Sequence, residues 1–191
     1  GGAAAHEGTI TTLEDRPLDV YAADVDGDSD MDVVTASADW SANDGGVVAW
    51  YKGSGGATPT FSRNIIVDYT GTANDDEPWC VLAVDIDGDT DLDVVSGANN
   101  GDEKLIWWEN EAAESFTERV LTQGSSYDDP VSFKVVDIDG DGDLDLAVAY
   151  RNENEVAWLE NDGSGSFTYH VVDSYAYDAS HVDAGDIDGD G

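Results

Sequence analysis

The chain has 191 residues, 40% of them hydrophobic, which is enough for one sizeable core or two small ones and too much for a globally disordered chain. Its 43 acidic against 7 basic residues give a formal net charge of -36, which repels polyanions and anionic lipid and so excludes nucleic acid and direct membrane insertion. A single cysteine, Cys80, excludes an intrachain disulfide framework and is expected to be a buried strand thiol.

In chain order, residues 6–13 resemble the last strand of a unit, and residues 20–23 a first strand. The acidic run Asp24-Val-Asp26-Gly27-Asp28-Ser-Asp30-Met-Asp32 follows. Apolar residues 31–36, a Trp-centred run at 47–51 and a Phe-led run at 61–67 complete that unit. The same order returns with residues 81–84, the loop Asp85, Asp87, Asp89, Asp91, Asp93, then 92–96, 105–109 and 116–121. It returns again with 133–136, the loop Asp137, Asp139, Asp141, Asp143, Asp145, then 144–149, 156–160 and 167–172. A fourth copy begins at residue 182 and reaches Asp186, Asp188 and Asp190. Pro17, Pro78 and Pro130 each stand seven residues before a loop, with Ala179 in the fourth copy.

These runs are short, rich in Val, Ile, Trp, Tyr and Phe, and separated by Gly, Asn, Asp and Ser, as strands and turns are. Four strands per unit of about 50 residues is the size of a propeller blade. The expected fold is therefore all-β, with β-propeller blades of four antiparallel strands: a last strand over 1–13, blades over 14–72, 73–125 and 126–175, and a first strand with a partial loop over 176–191. Three blades and two parts fall short of an ordinary ring of roughly four to eight. The chain is thus expected to be a processed piece of something longer or to assemble with other chains.

Each Asp loop places carboxylates at positions 1, 3, 5 and 9, the oxygen-rich cage that a hard cation such as Ca2+ takes with six to eight oxygens. Position 7 (Asp30, Asp91, Asp143) is expected to offer its backbone carbonyl, its side chain facing solvent or a neighbour, by analogy with the calcium loops of helical hands. Gly27, Gly88, Gly140 and Gly189 at position 4 permit the sharp turn, while Ser29 and Thr90 indicate that glycine at position 6, as in Gly142 and Gly191, is not obligatory. Carboxylates crowded in this way repel one another, so cation binding is expected to be coupled to ordering the loop. A solvated acidic turn would explain one such run; three complete copies at the same place in a repeat point to metal. The fourth loop lacks positions 7 and 9 and is expected to be weak or empty unless other oxygens complete it.

These loops, with the trailing pattern Val156-Ala-Trp-Leu-Glu-Asn-Asp-Gly-Ser-Gly-Ser-Phe167, resemble the FG-GAP/VCBS type of propeller repeat found in integrin α-subunit heads and many bacterial and archaeal surface proteins. No literal Phe-Gly…Gly-Ala-Pro string occurs, so the likeness to integrins is architectural. The resemblance implies calcium at the hairpin between first and second strands, held by Asp24, Asp26, Asp28, Asp32 and their equivalents, in a mostly structural role, with ligand surfaces elsewhere.

Among other candidates, Trp50, Trp107, Trp108 and Trp158 recur and are expected to pack between blades. Trp40 and Trp79 do not recur and suit a sugar face. His6, His170 and His181 form no cluster in the sequence, and no Gly-x-Ser-x-Gly, His-Glu-x-x-His or phosphate loop is present. The expected function is a non-enzymatic, secreted or cell-surface adhesive module rigidified by calcium, partnered by itself or other cell-surface proteins. Alternatives are a carbohydrate-binding lectin-like propeller and a fragment of a polysaccharide lyase. The excess of acids outside the loops fits a surface adapted to salt or abundant divalent cations.

Overall fold

The computed structural model describes residues 10, 16–38, 44–71, 76–99, 103–111, 115–123 and 129–187. The expected strand over residues 6–13, apart from Ile10, lies outside the described residues, as do Trp40 and the loop residues Asp188 and Asp190. Twelve strands, and no helix, are found among the described residues: β1 Pro17–Ala23, β2 Asp32–Ser37, β3 Asp44–Gly53, β4 Phe61–Thr70, β5 Glu77–Val84, β6 Asp93–Asn99, β7 Lys104–Asn110, β8 Phe116–Gln123, β9 Pro130–Val136, β10 Asp145–Tyr150, β11 Glu155–Asn161 and β12 Phe167–Asp173. They form three four-stranded sheets in the simple orders β1-β2-β3-β4, β5-β6-β7-β8 and β9-β10-β11-β12, all antiparallel. These are three propeller blades.

The first strand of each blade starts at or one residue before the repeated proline, earlier than the apolar residues alone indicate. Proline lacks an N–H to give to a ladder, and the first residue of an edge strand is where that loss costs least. Register shifts follow immediately at Pro17/Asp19 and Pro78/Cys80.

Period-2 alternation decides which side chains meet between blades. From blade 1, Val34, Ala36, Val48 and Trp50 face Val81, Ala83, Val94, Ile106 and Trp108 of blade 2 in one core. The opposite face of blade 2, with Val95, Leu105 and Trp107, meets Leu146, Val148, Tyr150, Ala157 and Leu159 of blade 3 in a second. Trp50 and Trp107 occupy equivalent places, each pointing toward the following blade, and Trp50 meets Phe116 of blade 2 edge to face at 6.3 Å. Truncating either tryptophan to alanine removes packing worth roughly 3–5 kcal/mol. Trp158, third of the series, is half-buried and stacks on His170 at 4.6 Å.

The first strands β1, β5 and β9 lie side by side around a cavity of about 290 Å³, lined by Asp19, Trp79, Cys80, Ser132 and His181 among others. Asp19 accepts the Val81 N–H at 3.0 Å, and at the equivalent places two blades later Ser132 Oγ accepts the Val182 N–H at 3.3 Å. Residues 181–182 thus stand where the first strand of a further blade belongs. They are not a strand in the structure, since a first strand takes its ladder from a second strand that residues up to 187 do not supply. Cys80 is a buried strand thiol, as expected, with Sγ 3.5 Å from the Pro130 carbonyl, and burial pushes its pKa up.

Candidate metal centres

Each Asp loop is the hairpin between the first and second strands of a blade, and main-chain N–H groups organise its carboxylates. Position 9 forms the base. Asp32 accepts from Val25 N–H at 3.0 Å and Gly53 N–H at 2.7 Å, Asp93 from Ile86 at 3.3 Å and Asn110 at 2.8 Å, and Asp145 from Ile138 and Asn161, both at 2.8 Å. A single buried carboxylate in each blade therefore ties the loop to the end of the third strand. Position 1 closes the turn: Asp24 accepts from Ser29, Asp85 from Gly88 and Thr90, and Asp137 from Gly140 and Gly142. Positions 3 and 5 each use one oxygen for the N–H two residues on, as in Asp87 to Asp89 and Asp89 to Asp91.

The turn needs left-handed backbone at two places. Position 4 is glycine throughout, with φ of 72, 77 and 79° at Gly27, Gly88 and Gly140. Position 6 is left-handed too, at 73° for Ser29, 84° for Thr90 and 101° for Gly142. Glycine is not obligatory there, but serine and β-branched threonine hold a conformation that disfavours them.

Three groups of carboxylates converge with ligand oxygens within 4.8 Å of one another: Asp24, Asp26 and Asp32; Asp85, Asp87 and Asp89; Asp137, Asp139 and Asp145. Asp28, Asp93 and Asp141 border these groups. Position 7 belongs to none of them. The carboxylates of Asp30 and Asp143 instead lie over the third-to-fourth strand turn, so close to Gly55 and Gly163 that a Cβ on either glycine would fall 2.0 and 2.4 Å from an oxygen. Asp186 is described, but its loop partners lie outside the described residues.

The donor set fits a hard divalent cation, because in each loop three carboxylates converge on one small volume and the converging donors are all oxygens. An orphaned atom supports the fit: Asp24 Oδ1 is buried without a hydrogen-bond partner, a costly state that a cation relieves. In the second and third loops the corresponding oxygens take Gly88 and Gly140 N–H. Asp87 and Asp139 are pushed above the ordinary carboxylate range, first by desolvation and then by repulsion from neighbouring carboxylates.

Two features were not singled out in the sequence. Position 2 is apolar in every loop, and Val25 and Ile86 are each 2% exposed because they plug the cores between successive blades. Ile138, the third of the series, is 40% exposed. The third strands of blades 2 and 3 end in Asn110 and Asn161, whose side chains reach back to the preceding blade's loop, to the Val25 carbonyl at 3.5 Å and the Ile86 carbonyl at 2.8 Å. The recurring Trp-x-x-Asn spacing and the alternation of apolar with acidic residues were the available signals. The tryptophan and the asparagine in fact face two different neighbours.

A family model described as FG-GAP-like repeat matches three times in succession, over residues 24–96, 85–148 and 137–191. Among solved structures, the chain is similar to an Agrocybe aegerita lectin described for specific recognition of non-reducing terminal N-acetylglucosamine, at 16% identity and a TM-score of 0.53. The alignment covers 86% of this chain and 42% of the lectin, so the chain spans less than half of that protein's length. No curated protein matches the chain.

Proposed function

The chain belongs to the FG-GAP-like repeat family, and from that premise we propose that it is a non-enzymatic, calcium-binding structural and adhesive module that works outside the cell. The observation that carries this reading is the double use of each complete loop. One hairpin gathers carboxylates at positions 1 and 3, and its position-2 residue plugs the space between blades where a further blade follows. A cation that orders the loop therefore also fixes the plug and the carbonyl to which the next blade's asparagine bonds. Millimolar external calcium suits such sites better than the low levels of the cytosol. Tyr169 and Val171 on the last strand of blade 3, with Ile138, leave apolar surface exposed, which favours contact with a further copy or another cell-surface protein.

Calcium titration followed by thermal melting and light scattering tests this. A rise in melting temperature with a calcium-dependent growth in particle size, both reversed by excess EGTA, is the expected result. No response of either property to calcium overturns the reading.

Carbohydrate binding is a second reading, favoured by the cavity that brings Trp79 together with Asp19, Ser132 and His181. An aromatic face beside polar groups is the usual chemistry of a sugar site. The similar lectin shares the fold alone at its level of identity. A glycan array that includes terminal N-acetylglucosamine separates this reading from the first.

A further inference from the structure

The three complete loops are alike in their aspartates, but the third strand beside them carries opposite charge at one position. The residue before the amide that bonds the position-9 carboxylate is Lys52 in blade 1, Glu109 in blade 2 and Glu160 in blade 3. Lys52 forms an ion pair with Asp26 Oδ2, an oxygen of a residue in the first converging group, and its Nζ lies 3.7 Å from Asp28. Asp26 is nearly buried, at 8% side-chain exposure, so the ammonium sits at the mouth of the loop rather than on an open surface.

In the other two blades the corresponding side chain is an acid. Glu109 accepts from Arg119 at 2.8 Å, and Glu160 is 2.6 Å from His170 Nε2. One loop therefore carries its own cation, while the other two carry a further carboxylate.

We propose that Lys52 is a built-in counterion of the first Asp loop, so that the three sites are unequal: the loops at 85–93 and 137–145 take a divalent cation from solution, and the loop at 24–32 is held by Lys52 and binds it weakest. This rests on the reading of the loops as calcium sites. An ammonium on a ligand oxygen blocks that oxygen and repels an incoming dication, and both effects weaken metal affinity at that loop. The arrangement also leaves blade 1 ordered at calcium levels that leave blades 2 and 3 loose, which gives the array a fixed end and a calcium-dependent end.

Calorimetric titration of the full chain with calcium, before and after Lys52→Met, tests the proposal. The variant is expected to gain one tight site, and adding Asp24→Asn to it should remove that site again. Lys52→Arg, which keeps the charge, should gain none. Hydrogen exchange supplies an independent reading: under excess EGTA residues 24–32 should keep their protection while 85–93 and 137–145 lose it. An unchanged number of sites in Lys52→Met, with all three loops losing protection together, overturns the role of Lys52 and leaves the calcium reading standing. Absence of calcium binding in both native and variant protein overturns both.

Discussion

Asn161 Nδ2 donates to the Ile86 carbonyl at 2.8 Å and to the Leu144 carbonyl at 3.0 Å, so one side chain in blade 3 joins its own Asp loop to that of blade 2. Asn110 does the same one blade earlier, with longer bonds of 3.5 Å to Val25 and 3.1 Å to Leu92. Both side chains are buried, at 1% and 6% exposure, so losing either leaves carbonyls without partners in a place water does not reach.

Replacing Asn161 with alanine should lower unfolding stability by about 2 kcal/mol, the usual penalty for stranding buried polar groups. Asn110→Ala should cost less, because its bond across blades is longer. Urea denaturation of the two variants side by side checks the order. A larger loss for Asn110→Ala would mean that the inter-blade bond is not what matters.

Ile86→Ala should cost roughly 2–5 kcal/mol, as expected for emptying a packed site between blades. The equivalent Ile138→Ala, at a residue 40% exposed, should cost well under half as much in the same measurement. Equal losses would indicate that Ile138 is covered in solution, which light scattering would then trace to self-association.

Thr90 holds a φ of 84° where the third loop has Gly142. Thr90→Gly should therefore stabilise the calcium-loaded protein by roughly 0.5–1 kcal/mol, the relief of left-handed strain minus the extra freedom of glycine in the unfolded chain. Thermal melting at saturating calcium reads this, and a lower melting temperature would contradict it.

Burial pushes the Asp93 carboxyl up to about 7, against the Asn110 and Ile86 N–H bonds that pull it down. The folded chain then holds that proton more tightly than the unfolded chain, whose value lies near 3.8. The contribution is fully present below 3.8 and is lost as pH rises through about 7. Calcium-free protein in EGTA should melt higher at pH 5 than at pH 8, even in high salt that screens the general acidic repulsion. Calcium favours ionised carboxylates and should flatten or reverse that slope. A metal-free protein that grows more stable from pH 5 to pH 8 would show that Asp93 is ionised throughout.

The blades and the Asp loops were legible because both rest on local rules repeated several times. Strand length, turn residues and the spacing of aspartates are set within about ten residues, and three copies remove the ambiguity that one would leave. Even the inter-blade role of Trp50 and Trp107 followed from their recurrence. The residues that the sequence left unremarked act over long separations. Asn161 reaches Ile86 across 75 positions, and Lys52 meets Asp26 only because β2 and β3 fold the end of the third strand back beside the loop.

By itself, then, the amino-acid order determined the repeat, the strand pattern and which residues carry the clustered charge, since alternation and turn chemistry act between neighbours in the chain. Only the tertiary structure decided that the neighbours met by the position-7 side chains of Asp30 and Asp143 are Gly55 and Gly163, that position 2 plugs the blade interface, and that Lys52 reaches the first loop. Those outcomes depend on which main-chain groups and charges come within a few Å when sheets stack, and no local pattern encodes that distance.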